Sequence, residues 1–91
     1  MTAGPPIRLT PKTRAVLAEL LAEPGLHGYE VHKRAHVGLG SLYPILGRLE
    51  TRGYATSWWV GDPHPRRRCY ALTPAGEALA QQPRHAPKGQ A

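Results

Sequence analysis

Proline and glycine, ten of each in 91 residues, set where every regular element of this chain has to start or stop. Thr10-Pro11, Pro24-Gly25, Gly38, Gly53, the stretch from Gly61 to Pro65, Thr73-Pro74 and Pro83 divide the sequence into short segments. The fold must therefore be assembled from short helices and strands within one small domain. We place that domain at residues 10–82, between a flexible arm (1–9, with Gly4-Pro5-Pro6) and a flexible tail (83–91).

Apolar spacing assigns a type to each segment. Thr10 suits an N-cap and Pro11 a first helical position, and Val16, Leu17, Leu20 and Leu21 share one stripe, which predicts a helix over 11–22. A shorter helix fits Gly28 to Ala35, with Tyr29 on its inner side and Glu30, Lys33 and Arg34 more exposed. A third, Leu39 to Arg52, has Leu42, Leu46 and Leu49 at i, i+4 and i+7 with Ile45 beside them, and Gly53 as its stop. With Gly38 as N-cap, Val37 and Leu42 occupy the two positions of a hydrophobic staple. The tight turn from His36 to Gly38 makes the second and third helices a helix-turn-helix. Tyr54 to Val60 and Arg66 to Leu72 read as two strands of a hairpin. Thr73 and Pro74 then start a last helix, with Ala75, Ala78 and Leu79 as its apolar side, ending near Gln82. The fold class is mainly α with a small β-hairpin, in the order α-α-α-β-β-α of a winged helix.

Composition narrows the function. Cys69 is the only cysteine, so neither an intramolecular disulfide nor a paired-thiol zinc site is available. No apolar run approaches the ~20 residues that cross a bilayer, and no basic-then-apolar stretch opens the sequence. The expected location is the cytoplasm, at the nucleoid, with no membrane contact. The formal net charge is +6, and residues 33–68 hold seven bases against two acids. Such a concentration points to a polyanion. The third helix is apolar on one side and carries Gly40, Ser41, Pro44, Gly47, Arg48 and Thr51 on the other, so it can rest on its core and enter a major groove. A hairpin bearing Arg66, Arg67 and Arg68 can reach the flanking backbone or minor groove.

Three stretches in order, His27-Gly28-Tyr29-Glu30, Ser41 to Glu50 (SLYPILGRLE) and Arg68 to Gly76 (RCYALTPAG), with Gly53 and Trp59 between the last two, resemble the PadR family of winged-helix transcriptional regulators. The resemblance covers roughly residues 14 to 79. It implies a sequence-specific repressor of double-stranded DNA, acting as a homodimer paired through its last and first helices, and often released by a small-molecule effector. It also implies that Tyr29 and Lys33, with Arg34 alongside, brace the backbone, that Gly40, Ser41, Tyr43, Pro44 and Arg48 face the bases, and that Arg66 to Arg68 form the wing. This chain departs from the family pattern in three places: Gly38 replaces a polar N-cap, His36 stands where a turn glycine is usual, and the last helix is short. Glycine for serine at an N-cap costs only a few tenths of a kcal/mol. His36 must accept a left-handed conformation or reshape the turn.

Other features have plainer readings. Trp58 and Trp59 are adjacent and must face opposite ways; the family pattern makes Trp59 the core residue and leaves Trp58 on the surface. His32 and His36, four apart, have the spacing of a metal-chelating pair, yet no acid or thiol joins them and solvated side chains are the better account. Cys69, near three arginines, is read as packing before redox sensing. Glu50 is read as a surface charge or a residue orienting Arg48 or Arg52. No nucleophile with its base, phosphate loop or paired carboxylates supports catalysis, and no cofactor is called for. The competing function is a protein-interaction module that keeps the fold without operator binding.

Overall fold

The computed structural model describes residues 7–61 and 67–82. The elements run α1 (Pro11–Ala22), β1 (Leu26–His27), α2 (Gly28–Ala35), α3 (Leu39–Thr51), β2 (Ala55–Val60), β3 (Arg67–Leu72) and α4 (Pro74–Ala80). The four helices and the hairpin strands are those the sequence predicts, with α3 and α4 ending one and two residues earlier.

The caps form as their chemistry requires. Thr10 Oγ1 accepts from the Thr13 amide at 3.2 Å, and Thr73 Oγ1 from the Gly76 amide at 3.1 Å. Gly38 caps α3 without a side-chain bond, and Val37 and Leu42 of the expected staple are both buried. His36 adopts φ 57°, ψ 41°, so the turn keeps its left-handed residue and histidine accepts the strain.

β1 is a strand that local pattern does not reveal. Its two residues pair antiparallel with β3, Leu26 opposite Tyr70 and His27 opposite Cys69, and the sheet order is β1-β3-β2. β3 is thus the central strand. Below it, Val16, Leu17 and Leu20 of α1, Val31 of α2, and Leu42, Ile45, Leu46 and Leu49 of α3 form one apolar core, closed by Leu26, Ala55, Tyr70 and Leu79.

Three burial expectations need correction. Trp59 is 52% exposed. Its parity is right, since it shares a face with Ala55 and Ser57, but the core lies under the Ala55–Leu72 end of the hairpin, and Trp59, opposite Arg68, projects beyond it. Trp58 is exposed as well. Tyr29 is 54% exposed rather than inward, because Val31 is the residue α2 gives to the core. On α4, Ala75 and Ala78 are exposed, and Gly76 and Leu79 are buried. Gly76 is fixed there by close approach: a β-carbon on it would run into the Tyr54 carbonyl. Cys69 is buried, as packing predicts.

Candidate nucleic-acid interface

The exposed residues of α3 fall on one stripe. Gly40, Tyr43, Pro44, Gly47, Arg48 and Thr51 face solvent, while Leu42, Ile45, Leu46 and Leu49 are buried beneath them. Gly40 and Gly47 have open space where a side chain would stand, so the helix backbone is unshielded there. Pro44, the sixth helical residue, offers no amide to the Gly40 carbonyl, and both lie on the wet side, where water can serve that acceptor. Ser41 is half-buried at the edge of the stripe and accepts a bond from Lys12 Nζ at 3.2 Å. Lys12 thereby joins the N-terminal end of α3, although it lies 29 residues away in sequence. No local signal marks it.

α2 stands beside this stripe. Its N-cap is His27, whose Nδ1 accepts from the Glu30 amide at 3.4 Å while Glu30 Oε1 accepts from the His27 amide at 3.1 Å, a reciprocal capping box. Tyr43 of α3 packs over the start of α2 so closely that a β-carbon on Gly28 would lie 2.5 Å from the tyrosine hydroxyl. The Tyr29 ring lies 5.3 Å from that of His32, tilted by 45°, and has Lys33 Nζ over it at 5.6 Å. Arg34 is less free: it binds Glu23 at 2.9 Å, and that hydrogen bond and charge raise its already high pKa. His32 Nδ1 meets the Val37 carbonyl at 2.7 Å and ties down the turn. Among the described residues no group of three or more histidine, cysteine or acidic side chains is placed to hold a metal.

On the hairpin, Arg67 is exposed and forms no ion pair among the described residues, and the same holds for Arg48 on α3. Arg66 lies outside the described residues. Arg68 is held. Its Nε donates to Ser57 Oγ at 2.9 Å, its NH2 lies 3.5 Å from Glu50 Oε2, and its guanidinium sits 5.3 Å from the Trp59 ring centre. Glu50 also accepts from the Ser57 hydroxyl. This corrects the reading of Glu50 as a partner of Arg48 or Arg52. Between α2, α3 and the hairpin lies an open cleft of about 540 Å³, walled by Tyr29, Tyr43, Trp59, Arg68 and Tyr70. Burial raises the Tyr70 hydroxyl above its ordinary pKa, with Arg68 opposing the shift and Glu50 reinforcing it.

The structure therefore brings Tyr29, Tyr43 and Arg67 to one cleft, with Lys33 over the Tyr29 ring, and leaves Gly40, Pro44 and Arg48 on the same exposed stripe of α3 as Tyr43, with Arg34 and Arg68 engaged by acids. No described helix is long and apolar enough to cross a membrane.

Comparison with known proteins bears on this arrangement. The PcaV transcriptional regulator from Streptomyces coelicolor, solved with its natural ligand, is 33% identical, with a TM-score of 0.69 over 79% of this chain and 50% of that one. A PadR-like transcription factor from Bacteroides fragilis is 27% identical, with a TM-score of 0.64 over 75% and 71% of the two chains. A transcriptional regulator from Clostridium thermocellum is 28% identical, with a TM-score of 0.68 over 81% and 80%. This chain spans about half the length of the PcaV regulator. No curated protein matches it. The model of the transcriptional regulator PadR-like family matches residues 16–82, which include α2, α3, both hairpin strands and α4, and the chain belongs to that family of regulators, which are not enzymes.

Proposed function

We propose that the chain is a sequence-specific repressor that binds double-stranded DNA, with α3 in the major groove and the hairpin as a wing on the neighbouring backbone or minor groove. The observation that carries this is the bare stripe of α3. Its small residues let the helix approach base edges, Arg48, in no ion pair among the described residues, offers its guanidinium to a guanine, and Tyr43 and Pro44 supply apolar contact. Ser41, at the helix start, faces the same groove. Lys12 reaches Ser41 at the start of the stripe, and Tyr29, with Lys33 over its ring, shares the cleft beside Tyr43 with Arg67, where phosphates of a flanking strand would run. Arg34 reaches the backbone only by sharing its charge with Glu23, and Arg66 to Arg68 form the wing.

In this reading two copies occupy the halves of an inverted repeat, and a small molecule relieves repression, as the family pattern implies. The protein works in the cytoplasm, on the nucleoid. Selection from a random duplex pool, followed by salt-titrated binding and mass measurement in solution, tests it. An enriched inverted repeat, bound by a dimer with a steep salt slope, supports the repressor. A second reading, an interaction module, is favoured by β2, an uncharged edge strand that exposes Trp58, Trp59 and Val60. A folded protein that enriches no sequence and binds without steep salt dependence belongs to that second class.

A further inference from the structure

We propose that Glu50 is a positioning residue that latches the wing to α3, and that Arg68 serves this latch rather than a phosphate. The inference rests on the DNA-binding reading and assigns the two residues within it. A wing and a groove-reading helix can engage one duplex together only if the angle between them is fixed. The hairpin leaves the core at Ala55 and Leu72, and toward its outer end Trp58, Trp59 and Val60 of β2 and Arg67 and Arg68 of β3 are all exposed, while Cys69 is buried. What ties that outer end to α3 is polar.

Four side chains from three elements make the tie. Glu50 sits in the last turns of α3, one step off the exposed stripe and toward the sheet. Its carboxylate takes the Ser57 hydroxyl of β2 and faces the Arg68 guanidinium of β3 at 3.5 Å. Arg68 Nε closes the triangle on Ser57 Oγ at 2.9 Å, and the Trp59 ring lies 5.3 Å from the guanidinium. Ser57 and Trp59 lie on the same sheet face as Arg68, because Trp59 is opposite Arg68 and Ser57 opposite Tyr70 in the ladder. The fork geometry of arginine fits this use: one nitrogen goes to the hydroxyl, another to the acid, and the flat face to an aromatic ring. An acid beside a phosphate-binding surface is unfavourable for binding in itself, so its presence here is better explained by what it holds.

The test uses the full chain and three variants, Glu50→Gln, Arg68→Lys and Glu50→Asp. Two duplexes serve as probes: the one recovered by selection from a random pool, and a scrambled duplex of equal composition. Amide exchange is followed in parallel. For Glu50→Gln and Arg68→Lys, affinity for the selected duplex should fall roughly tenfold, the scale of one charge-assisted bond. Affinity for the scrambled duplex should stay level or rise. Exchange across 55–60 and 67–70 should quicken by a similar factor while α1 stays protected, which separates a loosened wing from an unfolded chain. Glu50→Asp, which keeps the charge, should restore part of the discrimination. Lysine keeps the positive charge of residue 68, so an Arg68→Lys chain that discriminates like wild type overturns the latch. So does a Glu50→Gln chain that binds both duplexes more tightly with wing exchange unchanged. If the wild-type chain prefers neither duplex, the DNA reading fails, and exchange alone decides the latch.

Discussion

Two glycines of this chain answer the same substitution in opposite ways, because their surroundings differ. Gly76→Ala would drive a β-carbon into the Tyr54 carbonyl, a backbone atom that cannot step aside, so α4 must shift off the hairpin. We expect a loss of about 1 to 3 kcal/mol in denaturant unfolding. Gly47 lies mid-helix with open space around it, and Gly47→Ala should stabilise by about 0.5 to 1 kcal/mol in the same assay while weakening DNA binding by roughening the stripe. Tyr70 offers a pH test. Burial raises its pKa, so the folded chain holds the phenolic proton more tightly than the unfolded chain does. That contribution is intact below the ordinary tyrosine range near pH 10 and is lost as pH climbs through the raised folded value. Tyr70→Phe should therefore flatten the alkaline fall in stability, read as melting temperature against pH, and an unchanged slope would place the loss elsewhere.

At the level of elements, α3 is both core and candidate reading head, and its two faces can be perturbed separately. Leu46→Ala, on the buried face, should cost about 2 to 5 kcal/mol by leaving a cavity, and a melting temperature equal to wild type would mean the face is wrongly assigned. The turn that launches α3 carries removable strain. His36→Gly should raise stability by about 0.5 to 1 kcal/mol, since glycine accepts φ 57° without a steric penalty. The helices were legible in the sequence because their signals are local: Thr10-Pro11 and Thr73-Pro74 announce caps within four residues, and Leu42, Leu46 and Leu49 announce a face. β1 was not legible, since two residues hold no periodicity and Leu26 becomes a strand only by meeting Tyr70. Trp59 was misplaced because alternation says only that the two tryptophans face opposite ways, and the family pattern that chose Trp59 for the core does not say how far this core extends beneath the strand. The stripe residues of the candidate site were readable from α3 alone, whereas Lys12 beside Ser41 and Glu50 beside Arg68 are products of folding that no spacing encodes.

For the whole molecule, the proposed division of labour is between α3 and the wing. Arg48→Ala should cost about 1 to 3 kcal/mol on the selected duplex and relax preference at one base pair. Arg67→Ala should weaken selected and scrambled duplexes alike and lower the salt slope by about one ion. Equal losses of selectivity from both variants would refute that assignment. The central place of β3 bears on a different matter, the order in which the chain is made. Synthesis delivers α1, β1, α2 and α3 before any residue of β3 exists, so on the ribosome Leu26 and His27 wait through more than forty codons for the strand that pairs with them. Cys69 and Tyr70 pair with β1 on one side and β2 on the other, so neither edge of the sheet can form before they are made. A nascent chain halted after β2 should carry α1, α2 and α3 and lack the sheet entirely, since both strand pairings of the sheet run through β3.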